Sequence, residues 1–219
     1  EGRKFRLCDT AGLRRKARIR DKLEKMAVDD TIRAIRLAQV VVLVLDCERG
    51  VEKQDLSIMG HIVSQGRALV IAANKWDRVR DKVAMRKGIE RAIEQMAEIS
   101  DVPIVPVTAL TGKNLKSLMK ACLEVYATWS GRVSTGKLNR WLKARTQQHP
   151  PPMAAGRENR LRYITQIKTR PPTFALWAGY PDALPESYKR YLINAIRNDF
   201  GLKSVPVRLL ARTSKNPYA

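Results

Sequence analysis

Three runs of apolar residues divide the first part of the chain, and each is long enough for one buried strand. They are QVVVLVLDC at 39–47, RALVIAANK at 67–75 and VPIVPVTAL at 102–110. Such continuous runs are typical of strands that are buried on both faces of a parallel sheet. Between and after them, apolar residues recur at helical spacing, at Leu56, Met59 and Val63, at Ile89, Ile93 and Met96, and at Leu115, Leu118, Cys122 and Tyr126 after the predicted N-cap Asn114. The alternation predicts an α/β domain with ligand sites at the carboxyl ends of its strands.

The pattern changes after Gly136. KLNRWLKARTQQ predicts a helix that the proline run at 150–152 ends, and LRYITQIKT and TFALWAG predict two strands joined by a turn. A helix from Pro185 to Gly201 and a last strand, VPVRLLA, complete an α-β-β-α-β unit. We therefore predict an α/β domain over residues 1–130, a linker over 131–136 and a small α+β domain over 137–219.

The charge of the chain favours a polyanionic partner. Forty-two Lys and Arg against twenty-one Asp and Glu give a net charge of +21, and residues 137–219 hold sixteen basic and four acidic residues, a net +12. Nucleic acid and a membrane surface both fit this excess. No apolar run approaches the roughly 20 residues of a membrane span, and the first residues lack the apolar core of a signal peptide. We expect a cytoplasmic protein without a membrane span.

The stretch GRVSTGKL at 131–138 has the glycine and lysine spacing of a P-loop, G-x-x-x-x-G-K-[ST]. Its last position is Leu138, which cannot offer an oxygen to Mg²⁺, and it follows a predicted helix rather than a strand. A linker that caps the next helix is the favoured interpretation.

Polar residues that fit guanine follow two of the predicted strands. Asn74, Lys75 and Asp77 form N-K-W-D after the second strand. The Asp77 carboxylate can accept two parallel hydrogen bonds, from the ring N–H and the exocyclic amine of guanine. The Lys75 stem can lie across the base, and Asn74 can tie the neighbouring loops together. After the third strand, Thr108-Ala109-Leu110 can complete the pocket, with the Ala109 N–H donating to the guanine O6.

A third motif, D-T-A-G at 9–12, follows the strand-like stretch KFRLC. Asp9 can hold Mg²⁺ through water, and the Gly12 amide can approach a terminal phosphate because glycine has no Cβ. An ordinary strand-to-loop turn would explain this motif alone. Three such motifs in order, each after a predicted strand, favour a nucleotide site.

The motifs DTAGLRRKARI, NKWD, STGKLNRWL and VPVRLLARTSKNP together resemble the Der (EngA) family of bacterial tandem GTPases, over essentially the whole chain. The resemblance implies a P-loop GTPase-type, mostly parallel sheet followed by a KH-like domain. It also implies GTP or GDP and Mg²⁺ as ligands, and GTP hydrolysis coupled to maturation of the large (50S) ribosomal subunit and its rRNA.

The chain departs from this family pattern at its start. The first G domain, which would be a partner, is absent. So are the P-loop, the first helix and the switch I region of the second G domain. We therefore expect a fragment or an incompletely described chain that hydrolyses GTP poorly alone. We also expect a gap in the sheet between the strands that end at Cys8 and Cys47. Leu13 stands where related GTPases place a water-orienting glutamine, and the family implies potassium as the compensating charge.

Two basic regions are candidates for contact with RNA. The segment 13–22 has six basic residues and one acidic residue, and it is either a solvated loop or a nucleotide-dependent contact. The C-terminal module lacks the G-x-x-G of RNA-binding KH domains. Its candidate phosphate contacts are Arg157, Arg160, Arg162, Lys168, Arg170, Lys189, Arg190 and Arg197.

The aromatic residues Trp177, Tyr188 and Tyr191 are predicted to be core residues rather than stacking surfaces. His61 and His149 have no metal-ligand spacing, and three cysteines without a C-x-x-C pair indicate neither a disulfide framework nor a zinc site. The alternative to a GTPase is a non-enzymatic RNA-binding module with an incomplete nucleotide pocket.

Overall fold

The computed structural model describes residues 4–8, 33–96 and 98–213, and within them the first part of the chain forms a three-stranded parallel sheet flanked by helices. The strands are paired in the order β1, β2, β3. In chain order the elements are β1 (Val40–Asp46), α1 (Lys53–Ser64), β2 (Ala68–Asn74), α2 (Lys82–Glu94), β3 (Ile104–Pro106) and α3 (Leu115–Ser130). This is the predicted strand and helix alternation.

Burial of the strands follows their place in the sheet. The central strand β2 is buried over Ala68–Ala73, on both faces as predicted. The prediction is wrong for β1, where Val42 and Val44 are exposed, Val44 by 55%. Among the described residues β1 pairs only with β2, so it is an edge strand, and the face that carries these two valines is incompletely covered.

The strand predicted over KFRLC is also wrong. Residues 4–8 are described and have no strand conformation, and Phe5 and Leu7 are exposed. A strand is stable only when a neighbour pairs with its backbone groups, and the described sheet offers residues 4–8 none. Alternating hydrophobicity alone is therefore insufficient here.

Residues after Gly131 form the predicted α-β-β-α-β unit. In chain order its elements are α4 (Thr135–Gln148), β4 (Leu161–Thr169), β5 (Pro172–Ala178), α5 (Glu186–Asp199) and β6 (Arg208–Thr213). Strand β5 lies between its neighbours, antiparallel to β4 and parallel to β6. Leu138, which excluded the P-loop interpretation, is a fully buried core residue of this unit.

The outer edge of β4 is closed by side chains rather than by another strand. Asn139 of α4 accepts from the Ile164 N–H at 3.1 Å and donates to the Ile164 carbonyl at 2.9 Å. Gln166 in turn accepts from the Val133 N–H at 2.7 Å and donates to the Gly131 carbonyl at 3.0 Å. These bonds fix the connecting segment 131–134 against the second sheet and satisfy part of an edge that would otherwise be open.

One hydrophobic cluster runs through both parts of the chain. It joins Ala68 and Val70 of β2 and Trp129 of α3 to Leu138 and Phe174 of the second unit. The Trp129 indole N–H donates to the Gly66 carbonyl at 2.8 Å, and Arg208 donates to the Ser64 carbonyl at 3.1 Å. The connection is therefore a packed junction, because a freely moving linker would not share a core.

Helix α3 begins differently from the sequence prediction. Asn114 is its N-cap residue, but its backbone is left-handed, with φ +64°, and its side chain caps no helical N–H. The amide donates instead to the Pro106 carbonyl at 2.9 Å, which holds the loop after β3.

In the described parts of the chain, no helix has the length and apolar content needed to cross a bilayer.

Candidate nucleotide-binding site

The predicted guanine residues meet at the carboxyl ends of β2 and β3. The Thr108 hydroxyl donates to Asp77 Oδ1 at 2.9 Å, and the Asn74 Oδ1 accepts the Ala109 N–H at 3.0 Å. The Trp76 N–H adds a backbone bond to the Val107 carbonyl at 3.2 Å. Parallel pairing of β2 with β3 makes this possible, because it places both strand ends at one edge of the sheet. Asn74 therefore ties the two loops together.

One hydrogen bond differs from the prediction. The Ala109 N–H, expected to meet the guanine O6, is already used by Asn74. On the same exposed loop, the Leu110 N–H makes no hydrogen bond within the described residues. Of these two amides, that of Leu110 is therefore the one not engaged by Asn74.

Lys75 is held by two carboxylates that the sequence analysis did not select. Its ammonium contacts Asp46 Oδ2 at 2.9 Å and Glu48 Oε2 at 2.5 Å, while Arg78 contacts Glu48 Oε1 at 3.2 Å. The Lys75 hydrogen bonds are the largest cause that lowers the pKa of both carboxyls, and Glu48 followed by Asp46 raises the pKa of Lys75. The register pairs Asp46 with Asn74, so Asp46 was findable as an acidic strand end beside N-K-W-D.

The backbone at Lys75 is left-handed, with φ +59°. This conformation is uncommon for a residue with a Cβ, and it occurs where the surroundings fix the chain. Here it turns the chain from β2 into the short helix Trp76–Arg78, which carries Asp77 toward Thr108.

An open cavity of about 820 Å³ lies beside the Glu48–Arg78 ion pair and is bordered by the start of α2. Asn74, Asp77 and Thr108 do not line it. Asp77 is exposed at the sheet edge and Thr108 is buried beside it, and both lie apart from this cavity.

The predicted phosphate and magnesium residues Asp9, Gly12 and Leu13 lie outside the described residues, as does the basic segment 13–22. Among residues 4–8, 33–96 and 98–213, no three His, Cys, Asp or Glu side chains are grouped as a metal site. The roles assigned to Asp9 and its neighbours stay predictions.

The eight basic residues predicted to grip phosphates lie on several elements of the second unit. Seven have side chains at or near the surface: Arg157, Arg160, Arg162, Lys168, Arg170, Lys189 and Arg190. Arg160 is paired with Glu158 at 2.8 Å, and Lys189 is paired with Glu186 at 2.9 Å. Their contact with RNA stays a prediction.

Arg197 is the exception. It is 5% exposed, and its guanidinium donates to Ser100 Oγ at 3.2 Å, at the junction with the first sheet. Burial lowers the pKa of Arg197. Assigning it to an RNA surface was wrong, because its place on the buried side of α5 keeps it from solvent.

Of the three aromatic residues predicted to lie in the core, two do and one does not. Tyr188 is buried and Tyr191 packs against the core, as predicted. Trp177 is a partly exposed residue on the far side of the second sheet from the core, and its ring contacts Tyr163. Successive residues of a strand point to opposite faces, so Trp177 lies on the face opposite to the buried Phe174 and Leu176. This alternation is visible in the sequence.

Comparison with known families divides the chain at the same junction. Residues 27–128 match the family described as the elongation factor Tu GTP binding domain. Residues 132–212 match the C-terminal KH-domain-like family of EngA bacterial GTPase enzymes.

Individual proteins match nearly the whole chain. GTPase Der of Novosphingobium aromaticivorans is 50% identical over 99% of this chain and 47% of its own length, and GTPase Der of Mesorhizobium japonicum is 49% identical over 100% and 46%. Era of Aquifex aeolicus is 15% identical over 87% of this chain and 70% of its own length, with a TM-score of 0.41. The chain spans about half the length of the curated relatives it matches, and it belongs to the GTPase Der (EngA) family.

Proposed function

We propose that this chain supplies the guanine-binding half of a GTP-hydrolysing factor that acts in maturation of the large ribosomal subunit, with its KH-like unit contacting RNA. The observation that carries the proposal is the Thr108–Asp77 hydrogen bond beside the Asn74–Ala109 bond. Together they hold a carboxylate and the loop after β3 in one place. The close relatives named GTPase Der support the same activity.

Asp77 selects the base in this proposal. Thr108 occupies its Oδ1 and fixes the rotation of the carboxylate, while the carboxylate oxygens keep lone pairs for the ring N–H and the exocyclic amine of guanine. Adenine has neither donor in that arrangement, and a lost bidentate base contact costs about 1 to 3 kcal/mol. Selectivity for guanine nucleotides over adenine nucleotides follows.

Lys75 must leave its carboxylate partners before its stem can cover the base. Both partners and Lys75 itself are partly exposed, so the ion pairs are screened by water and break at small cost. Asp46 and Glu48 would then hold Lys75 aside while the site is empty and release it when a base enters.

Magnesium, when bound, would neutralise charge that develops on the transferred phosphoryl group. Asp9 has the oxygen chemistry to hold it through water, and Gly12 would place its amide at the terminal phosphate. Leu13 cannot orient the attacking water, so charge stabilisation would come from another group, for which we propose potassium. The described residues contribute the base contacts.

Calorimetric titration of the chain with GDP tests the proposal. We expect the chain to bind GDP more tightly than ADP, and we expect Asp77→Ala to weaken GDP binding by about 5- to 150-fold, which corresponds to about 1 to 3 kcal/mol. Asp77→Asn is the matched variant, because its amide would donate to the carbonyl that xanthine carries in place of the guanine amine. Binding of XDP in place of GDP by Asp77→Asn would identify the contact, and equal binding of GDP and ADP by the unsubstituted chain would contradict it.

The alternative is that the chain acts as an RNA-binding module without nucleotide chemistry. The net charge of +12 over residues 137–219 favours it. A folded chain that binds RNA and no guanine nucleotide would select this second function.

A further inference from the structure

One face of the second sheet, which we call the open face, carries exposed apolar side chains, although Thr173 and Ala175 of its central strand are buried. Its other face packs on α4 and α5 through residues such as Ile164, Phe174 and Leu176, which are fully buried. On the open face Tyr163 is 43% exposed and Leu210 is 44% exposed, and Ile167 is exposed beside them. Contiguous exposed apolar surface is typical of interaction sites.

Three residues form a row across this open face, one from each strand. The register pairs Tyr163 of β4 with Trp177 of β5, and Trp177 with Arg212 of β6. The Tyr163 and Trp177 rings meet edge to face, with centroids 5.4 Å apart, and the Arg212 Cζ lies 5.9 Å from the centroid of the Trp177 ring. We call Tyr163, Trp177 and Arg212 the aromatic row.

The charge around the aromatic row has one sign. The strands β4, β5 and β6 together contain four basic residues and no acidic residue: Arg162, Lys168, Arg208 and Arg212. Lys168 lies opposite Thr173 in the sheet, and Thr173 lies opposite Arg208, which makes a second row on the same face. Arg208 also contacts the Ser64 carbonyl at the junction. This excess of positive charge favours an anionic occupant.

An occupant must also fit flat, partly exposed rings beside a guanidinium. Unpaired nucleotides meet both demands, because each base offers a π-face and each linkage offers a phosphate. A duplex does not fit, because its bases are stacked on one another. The absence of G-x-x-G from the second unit removes the usual KH clamp on a nucleotide backbone, so contact with a single strand needs another surface.

We propose that the open face of the second sheet binds single-stranded RNA, with an unpaired base stacked against Tyr163 and Trp177 and its phosphate held by Arg212. The inference rests on the proposed RNA contact of the KH-like unit and names its location. It differs from the earlier phosphate candidates, because Tyr163, Trp177 and Arg212 were not among them.

The test measures binding of the full chain to a labelled single-stranded adenosine oligonucleotide of about 8 nucleotides, a length typical of one single-strand site. The same oligonucleotide without bases, and its duplex, are measured beside it. Tyr163→Leu and Trp177→Leu remove the rings and keep apolar volume, and Tyr163→Phe and Trp177→Phe keep a ring as matched controls. Circular dichroism melting verifies the fold of each variant.

We expect each Leu variant to bind the single strand about fivefold or more weakly, the lower end of what loss of one base stack produces, and the Phe variants to change little. Binding of the base-free oligonucleotide should not respond to the Leu substitutions. Intrinsic fluorescence gives a second readout, because a base stacked on Trp177 quenches its emission, and Trp177→Phe should lose that change. This readout needs no Leu variant to fold.

Each other outcome overturns the assignment. If the single strand binds all variants equally and Trp177 emission is unchanged, RNA binds elsewhere on the chain, and the proposed function survives while the aromatic row is left to a protein partner. If the unsubstituted chain binds no RNA at about 50 mM salt, where phosphate contacts are strong, both the RNA contact and its location fail.

Discussion

Trp129 on α3 and Gly66 at the end of α1 are 63 residues apart in sequence and joined by a buried hydrogen bond of 2.8 Å from the indole N–H to the carbonyl oxygen. The turn that carries Gly66 also meets Pro171 of the β4–β5 turn and Arg208 of β6. Since β2 begins two residues after Gly66 and ends at Asn74, one strand connects the junction between the two units to the loop that we propose binds guanine.

The Trp129 bond predicts a stability effect. Trp129→Phe keeps an aromatic ring but leaves the Gly66 carbonyl unpaired in a buried place, which should lower the free energy of unfolding by about 1 to 3 kcal/mol. Urea unfolding followed by circular dichroism measures it. Trp141→Phe is the control, because its indole N–H bonds the more exposed Asp199 at 2.7 Å, and an equal loss in both variants would contradict the prediction.

Gly66 itself should resist substitution more strongly than Gly50. Both have positive φ, +72° and +78°, so alanine strains the backbone by about 1 to 2 kcal/mol at either position. A Cβ at Gly66 would also lie 2.7 Å from Pro171 Cγ, whereas nothing lies within 4 Å at Gly50. Because of this overpacking, Gly66→Ala should lower the free energy of unfolding by about 1 to 3 kcal/mol more than Gly50→Ala does. Equal losses would show that Pro171 moves aside to make room for the Cβ.

Thr108 should affect nucleotide binding without contacting the base. Thr108→Val removes the hydroxyl that orients Asp77 and keeps a similar volume. We expect the Kd for GDP to rise about fivefold, which corresponds to one hydrogen bond of about 1 kcal/mol. Thr111→Val is the control, because the Thr111 hydroxyl makes only a 3.4 Å bond to the Thr108 carbonyl, and a similar rise there would point to a general change in the loop.

The carboxylates around Lys75 should make the free energy of unfolding depend on pH in the acid range. The pKa of Glu48 is lowered by its bonds to Lys75 and then Arg78, so its contribution is present above its ordinary pKa of 4.5 and is lost as the pH falls through the lower value in the folded protein. The pKa of Asp46 is lowered in the same direction, first by Lys75. Because the pKa of Lys75 is raised, the contribution of Lys75 to stability is lost only as the pH rises past its ordinary pKa of 10.5.

Glu48→Gln should therefore lower the unfolding free energy at neutral pH and approach the unsubstituted chain in strong acid. The effect should shrink in high salt because the groups are exposed. Urea unfolding across the pH range measures it, with Glu124→Gln as control, since Glu124 lies 3.8 Å from a single lysine on an exposed helix face. A difference that does not vary with pH would exclude ionisation as the cause.

Much of the architecture was readable from the sequence. Runs such as the one at 67–75 have the length and continuity of a central strand, and β2 is buried as they predict. Proline and glycine positions gave the ends of the helices, including α5 between Pro185 and Gly201. The guanine motif could be placed because it follows a strand end, where parallel pairing concentrates ligand-binding groups.

Periodicity could not predict where a strand has a neighbour. KFRLC alternates like a strand and remains unpaired, and β1 reads like a central strand but lies at an edge, because both depend on backbone partners supplied elsewhere. The same limit applies to hydrogen bonds between loops. The Ala109 N–H could be aimed at a base from sequence, but only the packed loops show that Asn74 uses it.

The sequence by itself determined the order of the elements, the polar groups that fit guanine and the excess of positive charge, because these depend on local periodicity and residue chemistry. The tertiary structure decided which groups face solvent. It buried Arg197 at a junction, left Trp177 partly exposed on the open face of the second sheet and placed Lys75 between two carboxylates. Each outcome depends on contacts between residues far apart in the chain, and folding alone brings them together.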